Sequence, residues 1–255
     1  MKSPIVLPIL AIACVVAFLF TLRARLLPSS DPASSSGSAD DSEQRTPLRL
    51  LAIGDSLTEG VGSTASNGWR QQLSWNLTNA GNAVEFIGSL RHGNFSDNAH
   101  AGYGGKSISE ITPFVIKDIF QHPDVVLLLA GTNDMMGWPR QPWESAPMRL
   151  GILMDKVLKE NPEATLLVGR IPHCKEPIQA ARVDDFNAAL DDVVDSRLAL
   201  GHKVLLVDMS EVGVDGAYLH DQYHPNDPGY AIIAARWLEG LRAASDSGWI
   251  TPPII

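Results

Sequence analysis

Apolar and polar positions divide the chain into three stretches. Residues 5–22, IVLPILAIACVVAFLFTL, are apolar almost without break and long enough to cross a bilayer as a helix. The run ends in Arg-Ala-Arg-Leu-Leu with no convincing cleavage signature, so a retained signal anchor over residues 1–27 is favoured over a cleaved signal peptide. Lys2 on one flank is balanced by Arg23 and Arg25 on the other, which leaves the orientation open. Residues 28–46, PSSDPASSSGSADDSEQRT, hold no apolar side chain larger than alanine and cannot repay their ordering entropy by burial; they read as a disordered stalk.

From residue 47 to 255 the pattern is that of one globular domain. Short apolar runs at 48–53, 84–87, 125–130, 165–169 and 204–207 alternate with helical patterns near 69–80, 107–120, 147–160, 180–200 and 228–244. Five apolar strands separated by helices predict an α/β fold: a parallel five-stranded sheet in a three-layer α/β/α, flavodoxin-like arrangement. In such sheets the ligand crevice lies beyond the carboxyl ends of the strands, so the residues that leave each strand are the informative ones.

Composition narrows the function. A formal net charge of −9 argues against a nucleic-acid surface. Cys14 lies in the apolar run and Cys174 in a loop, which argues against an intrachain disulfide across the domain. Two sequons, Asn76-Leu-Thr and Asn94-Phe-Ser, fit a lumenal or extracellular domain, although about one would arise by chance.

Three strand exits carry unusual chemistry. The first gives Gly54-Asp55-Ser56, the third Gly131-Thr132-Asn133-Asp134, and the fifth leads to HDQYHPNDPGY with Asp221 and His224. A serine hydroxyl is a poor nucleophile until a neutral imidazole takes its proton, and that imidazole needs an acceptor on its other nitrogen. Asp221, three residues before His224, can supply the acceptor locally. An oxyanion hole is also required; the Ser56 N–H, the Asn133 side chain and a glycine N–H from HAGYGGKSI are the available donors. Singly, each motif is more often a turn or a helix cap. Jointly, and in order along one sheet edge, they point to acyl transfer. His220, Asp221 and His224 could suggest a metal site, but Pro225 argues against a continuing helix and no supporting ligand cluster exists, so no metal or other cofactor is expected. The G-x-S-x-G elbow of the ordinary α/β-hydrolases is missing. His100 and His173 are expected to be structural, Asp55 and Asp134 to bond turn N–H groups, and Trp138 and Trp143 either to wall a substrate pocket or to pack their loop.

Gly54-Asp55-Ser56-Leu57, the glycines at 102–105, Gly131-Thr132-Asn133-Asp134 and Asp221-x-x-His224 resemble the four signature blocks of the SGNH hydrolases, or GDSL esterase/lipase family, across residues 48–240. The intervening text looks most like fungal relatives of carbohydrate esterase family three, the acetyl xylan esterases. The resemblance implies the SGNH hydrolase fold and a serine esterase without a cofactor, with Ser56, Asp221 and His224 catalytic and Ser56, Gly105 and Asn133 forming the oxyanion hole. Gly102 and Gly104 compete with Gly105 for that role; Gly105 is chosen because it directly precedes Lys106 and the helix. Where relatives often carry a small residue this chain has Gln222 and Tyr223, so Tyr223, like Trp138, is expected to border the substrate. The expected substrate is a small-molecule or glycan ester, with short acyl groups, acetyl first. An acyltransferase using the same site and a non-catalytic surface domain are the alternatives.

Overall fold

The structure, a computed structural model, describes residues 46–137 and 141–255. The apolar N-terminal run, the stalk up to residue 45 and Trp138 lie outside the described residues. In chain order the elements are β1 (Leu48–Gly54), α1 (Ser56–Glu59), α2 (Gly68–Asn79), β2 (Val84–Ile87), β3 (Leu90–Arg91), β4 (Ala99–Gly102), α3 (Ile108–Phe114), α4 (Ile116–Ile119), β5 (Val125–Leu129), α5 (Thr132–Met135), α6 (Ala146–Glu160), β6 (Thr165–Gly169), α7 (Pro177–Leu198), β7 (Val204–Val207) and α8 (Asp227–Asp246).

All five predicted strands form and lie parallel to their neighbours in the order β2-β1-β5-β6-β7. Strand β1 is apolar at every position but Arg49 and Gly54, as a strand covered on both faces must be, and every residue except Arg49 is buried. Its outer edge is shared: Leu48–Leu51 pairs with β2, whereas Ile53 and Gly54 pair with β4, which carries the short antiparallel β3 on its far side. The sheet is therefore seven-stranded and mixed at that edge. Strands β3 and β4 escape sequence reading because Leu90-Arg91 is too short and Ala99-His-Ala-Gly has no β-branched or aromatic residue. The single helix expected over 107–120 is interrupted at Val115, just after Pro113, which has no N–H to donate.

Helices α2 and α8 pack together over one face, and α3, α6 and α7 over the other. Between α2 and α8 the indoles of Trp69 and Trp237 lie 5.6 Å apart, and Phe86 of β2 completes the cluster 6.4 Å from Trp69. After β1 the chain turns outward to β2, and after β5 it runs the opposite way to β6. Strands β1 and β5 thus flank the topological reversal beyond whose carboxyl ends sheets of this kind place their ligand crevice.

One side of that crevice rests on a buried cation. Arg70 of α2 has no exposed surface. Its guanidinium donates to five carbonyls: Thr58 at 2.9 Å, Asn98 at 2.9 Å, Glu59 at 3.0 Å, His92 at 3.0 Å and Ser66 at 3.1 Å. Burial lowers its pKa to about 10, so it stays charged at neutral pH and five backbone dipoles balance it. His100 is also fully buried, and burial together with the positive charge of Arg70 holds it down to about 2. It is the structural histidine expected from the sequence.

Arg70→Met leaves five carbonyls without their donor, and a loss of at least about 3 kcal/mol in unfolding free energy is expected by urea titration. His100 makes a second, signed prediction. Its folded pKa lies below the unfolded value of about 6.5, so its contribution is complete above that pH and declines as pH falls toward 2. Paired urea titrations of wild type and His100→Gln at pH 7.5 and 5 should show the wild-type advantage shrinking at the lower pH, by about 1.4 kcal/mol per unit below 6.5.

Candidate active site

Each residue of Gly54-Asp55-Ser56 has a local task. A Cβ on Gly54 would meet the Leu129 carbonyl oxygen at 2.1 Å, so only glycine lets β1 end this close to β5. The Asp55 carboxylate accepts the Leu57 N–H at 3.0 Å and caps α1. The helix consequently starts at Ser56, whose own N–H belongs to the first turn and has no intrahelical partner. Asp55 is completely buried, which pushes its carboxyl up to about 6 against the pull of the Leu57 N–H.

The second wall comes from the turn before α8. One oxygen of Asp221 accepts the N–H groups of Tyr223 and His224, both at 2.8 Å, folding residues 221–224 into a tight Asx-type turn. The turn is closed by the His220 N–H on the His224 carbonyl at 2.8 Å and by pairing of Leu219 with Pro225, and Asn226 caps α8 immediately beyond. The other Asp221 oxygen lies 2.8 Å from His224 Nδ1. Partial burial raises the Asp221 pKa, but the two N–H donors and the His224 side chain outweigh it and bring it to about 2. A carboxylate ionised at all ordinary pH values therefore accepts at Nδ1, leaving Nε2 as the acceptor nitrogen of a neutral ring.

His224 Nε2 lies 2.9 Å from Ser56 Oγ. The sequence separation of 168 is bridged by a seam joining the loop after α1 to the start of α8. Tyr230 Oη donates to the Val61 carbonyl at 2.6 Å, and the Asp227 carboxylate accepts the Thr64 N–H at 2.8 Å and the Thr64 hydroxyl at 2.7 Å.

The third wall is the glycine loop after β4 with the start of α5. The Gly102 N–H donates to His100 Nδ1 at 2.9 Å and the Gly104 N–H to Glu59 Oε2 at 3.0 Å. Of the three competing glycines, Gly105 alone has an N–H without a hydrogen-bond partner among the described residues. It has φ +72°, a conformation that favours glycine. A Cβ on Gly104 would lie 3.8 Å from that of Ser56, so the loop abuts the serine. Asn133, buried at the start of α5, donates through Nδ2 to the Lys106 carbonyl at 3.0 Å, which ties it to the same loop. Asp134 bonds the Ile108 N–H at 3.0 Å and pairs with Arg149 at 2.7 Å, a scaffold role like that of Asp55.

Other expected residues fall outside this group. Tyr223 is half-buried in the turn beside His224. Trp143 packs against the core with the Arg182 guanidinium over its ring. His173 pairs with Asp184 at 2.8 Å, and no group of three or more potential metal-ligating side chains occurs among the described residues. Sequence reading missed Glu59, Arg70 and His92. Nothing in their spacing marks them, since a charged side chain in a loop or on an amphipathic helix reads as solvent-facing.

Chemically, the arrangement offers a hydroxyl on an acceptor imidazole that is in turn oriented by a carboxylate, the requirement for an activated nucleophile. Comparison with known proteins identifies the family. A curated multidomain esterase of Ruminococcus flavefaciens is 26% identical over 260 aligned residues, covering 89% of this chain, which spans only about a third (32%) of that protein. A family 3 carbohydrate esterase of Clostridium thermocellum superposes with a TM-score of 0.66 at 29% identity, covering 76% of this chain and 94% of that one. A carbohydrate esterase family 3 structure from Talaromyces cellulolyticus shares the fold with a TM-score of 0.67 at 23% identity, over 78% and 99% of the two chains. Residues 52–232 match the GDSL-like lipase/acylhydrolase family, and it is to this family that the chain belongs.

Proposed function

We propose that the protein is a serine esterase that removes short acyl groups, acetyl first, from a carbohydrate or similar alcohol through an acyl-enzyme. The observation that carries this reading is the hydrogen-bonded chain from Ser56 Oγ through His224 to the ionised Asp221. Ser56 Oγ attacks the ester carbonyl carbon while His224 Nε2 takes its proton. The tetrahedral oxyanion is met by the N–H groups of Ser56 and Gly105 and by the second amide hydrogen of Asn133, the one not bonded to Lys106. As the intermediate collapses, His224 returns the proton to the departing alcohol. Water then attacks the acyl-enzyme with His224 again as base, releasing the acid and Ser56. Asp221 holds the ring and offsets the charge it gains in each half.

The carbohydrate class rests on the similarity to the Clostridium thermocellum family 3 carbohydrate esterase, and the preference for acetyl on the likeness of the intervening sequence to acetyl xylan esterases. Tyr223, beside His224, and Trp138 are the proposed borders of the alcohol site. We further propose that residues 5–22 anchor the protein or direct its secretion, with the domain on the lumenal or extracellular side. Of the two sequons, Asn94 lies exposed in a loop, whereas Asn76 lies within α2. Transfer of the acyl group to a sugar hydroxyl in place of water would use the same residues.

Ser56→Ala should lower kcat for p-nitrophenyl acetate by at least about a thousandfold with an unchanged melting temperature, and should abolish labelling by a fluorophosphonate. Retained turnover would sink the assignment. Product analysis with an acetylated sugar donor and a second glycan as acceptor separates the two fates of the acyl group: hydrolysis predicts free acetate as the dominant product at every acceptor concentration.

A further inference from the structure

The glycine loop that supplies one wall of the site is gripped by a chain of side chains that takes no part in the proposed chemistry. Glu59, the last residue of α1, accepts the Gly104 N–H at 3.0 Å through Oε2, and its Oε1 faces His92 Nε2 at 3.7 Å. His92 Nδ1 lies 3.0 Å from His100 Nε2, and His100 Nδ1 accepts the Gly102 N–H at 2.9 Å. The chain therefore leaves the loop at Gly104 and returns to it at Gly102. Arg70 ties the first two members of the chain together, since one of its nitrogens, Nη2, bonds the carbonyls of both Glu59 and His92.

The order of protons in this chain follows from its fixed end. A backbone N–H can only donate, so His100 Nδ1 is bare and its proton sits on Nε2. His92 Nδ1 must then accept, which puts the His92 proton on Nε2, the atom that faces the Glu59 carboxylate. Burial keeps His100 neutral, with one ring nitrogen accepting and the other donating. Both hydrogen bonds of His100 match donor to acceptor, and the His92 N–H faces the Glu59 carboxylate at 3.7 Å.

From this we infer that Glu59, supported by His92 and His100, is a positioning residue for the oxyanion hole: by engaging the Gly104 N–H it fixes the peptide plane of the loop and leaves the Gly105 N–H as the donor presented beside Ser56. The geometry of Gly104 agrees, because a Cβ there would meet Glu59 Oε2 at 2.4 Å, so the carboxylate occupies the space a side chain would need. Asn133 holds the following residue, Lys106, by its carbonyl, so the Gly105 N–H is fixed from both sides. This role rests on the serine-esterase reading above.

The test is kinetic and spectroscopic, on Glu59→Ala, Glu59→Gln and His92→Ala with p-nitrophenyl acetate, Ser56→Ala serving as the reference for that reading. Glu59→Ala should lower kcat by about 30- to 100-fold with KM within about threefold, since the loss falls on the oxyanion and not on the bound ester. Glu59→Gln, whose amide oxygen can still accept from Gly104, should restore at least about a third of wild-type kcat. His92→Ala should fall between them. In the NMR spectrum the Gly104 amide proton should move upfield in Glu59→Ala and stay close to its wild-type position in Glu59→Gln. If Glu59→Ala fails to fold, Glu59→Gln and His92→Ala carry the test, and wild-type kcat in His92→Ala overturns the role. Folded Glu59→Ala with kcat within threefold of wild type, while Ser56→Ala is inactive, overturns the positioning role and leaves the esterase reading intact. A wild-type protein without ester turnover, or a fully active Ser56→Ala, removes the esterase reading and this role with it.

Discussion

The contact on which the site depends is the 2.9 Å approach of His224 Nε2 to Ser56 Oγ, made by groups 168 residues apart. Neither residue secures it alone. Ser56 is fixed by the end of β1 and the Asp55 cap, and His224 by the Asx-type turn of Asp221, so the distance between them is set by how the start of α8 lies against the loop that follows α1. The Tyr230–Val61 and Asp227–Thr64 hydrogen bonds fasten that seam, and the Trp69–Trp237 contact holds α2 and α8 together behind it. The polar contact at the front is thus held by apolar packing behind. That division is economical, because burial supplies most of the folding free energy whereas directional bonds fix geometry to fractions of an ångström.

Electrostatics around the crevice separate into groups kept charged and groups kept neutral. Asp221 stays ionised because three donors converge on it at the edge of the protein, where solvent also helps. Asp55 is completely buried and accepts one backbone N–H, and burial raises its carboxyl to about 6. Arg70 and His100 make the same contrast among cations. The guanidinium keeps its charge because five carbonyls surround it, and the imidazole beside it is forced to remain neutral. A neutral His100 can use one ring nitrogen to accept and the other to donate, which a charged ring could not do. Burial, reinforced by the charge of the buried arginine, thereby sets the protonation of the ring that grips the glycine loop.

Much of this was legible in the sequence. Short, mostly apolar runs of four to six residues alternating with helical patterns read as buried parallel strands, and all five form. Their exits nominated Ser56, Asn133, Asp221 and His224; hydrogen bonds join Ser56, His224 and Asp221, and Asn133 is tied to the glycine loop that abuts the serine. Such features are legible because each is local: a strand is read from its own residues, and Asp221 reaches His224 within one turn.

What only the tertiary structure decided is every relationship that crosses elements. Pairing with the last two residues of β1 makes a strand of Ala99–Gly102, a segment with no strand propensity of its own. Among Gly102, Gly104 and Gly105, the sequence could not tell whose N–H was uncommitted, because the acceptors that engage the first two, His100 and Glu59, are side chains whose direction depends on how β4 packs beside α1. Arg70 reads as a surface residue of an amphipathic helix and proves to be fully buried, since five carbonyls from four separate segments converge on it only after the chain has folded. Hydrophobic periodicity encodes which face of an element is covered. It carries no information on which polar groups of distant loops will meet, and that meeting is what builds the site.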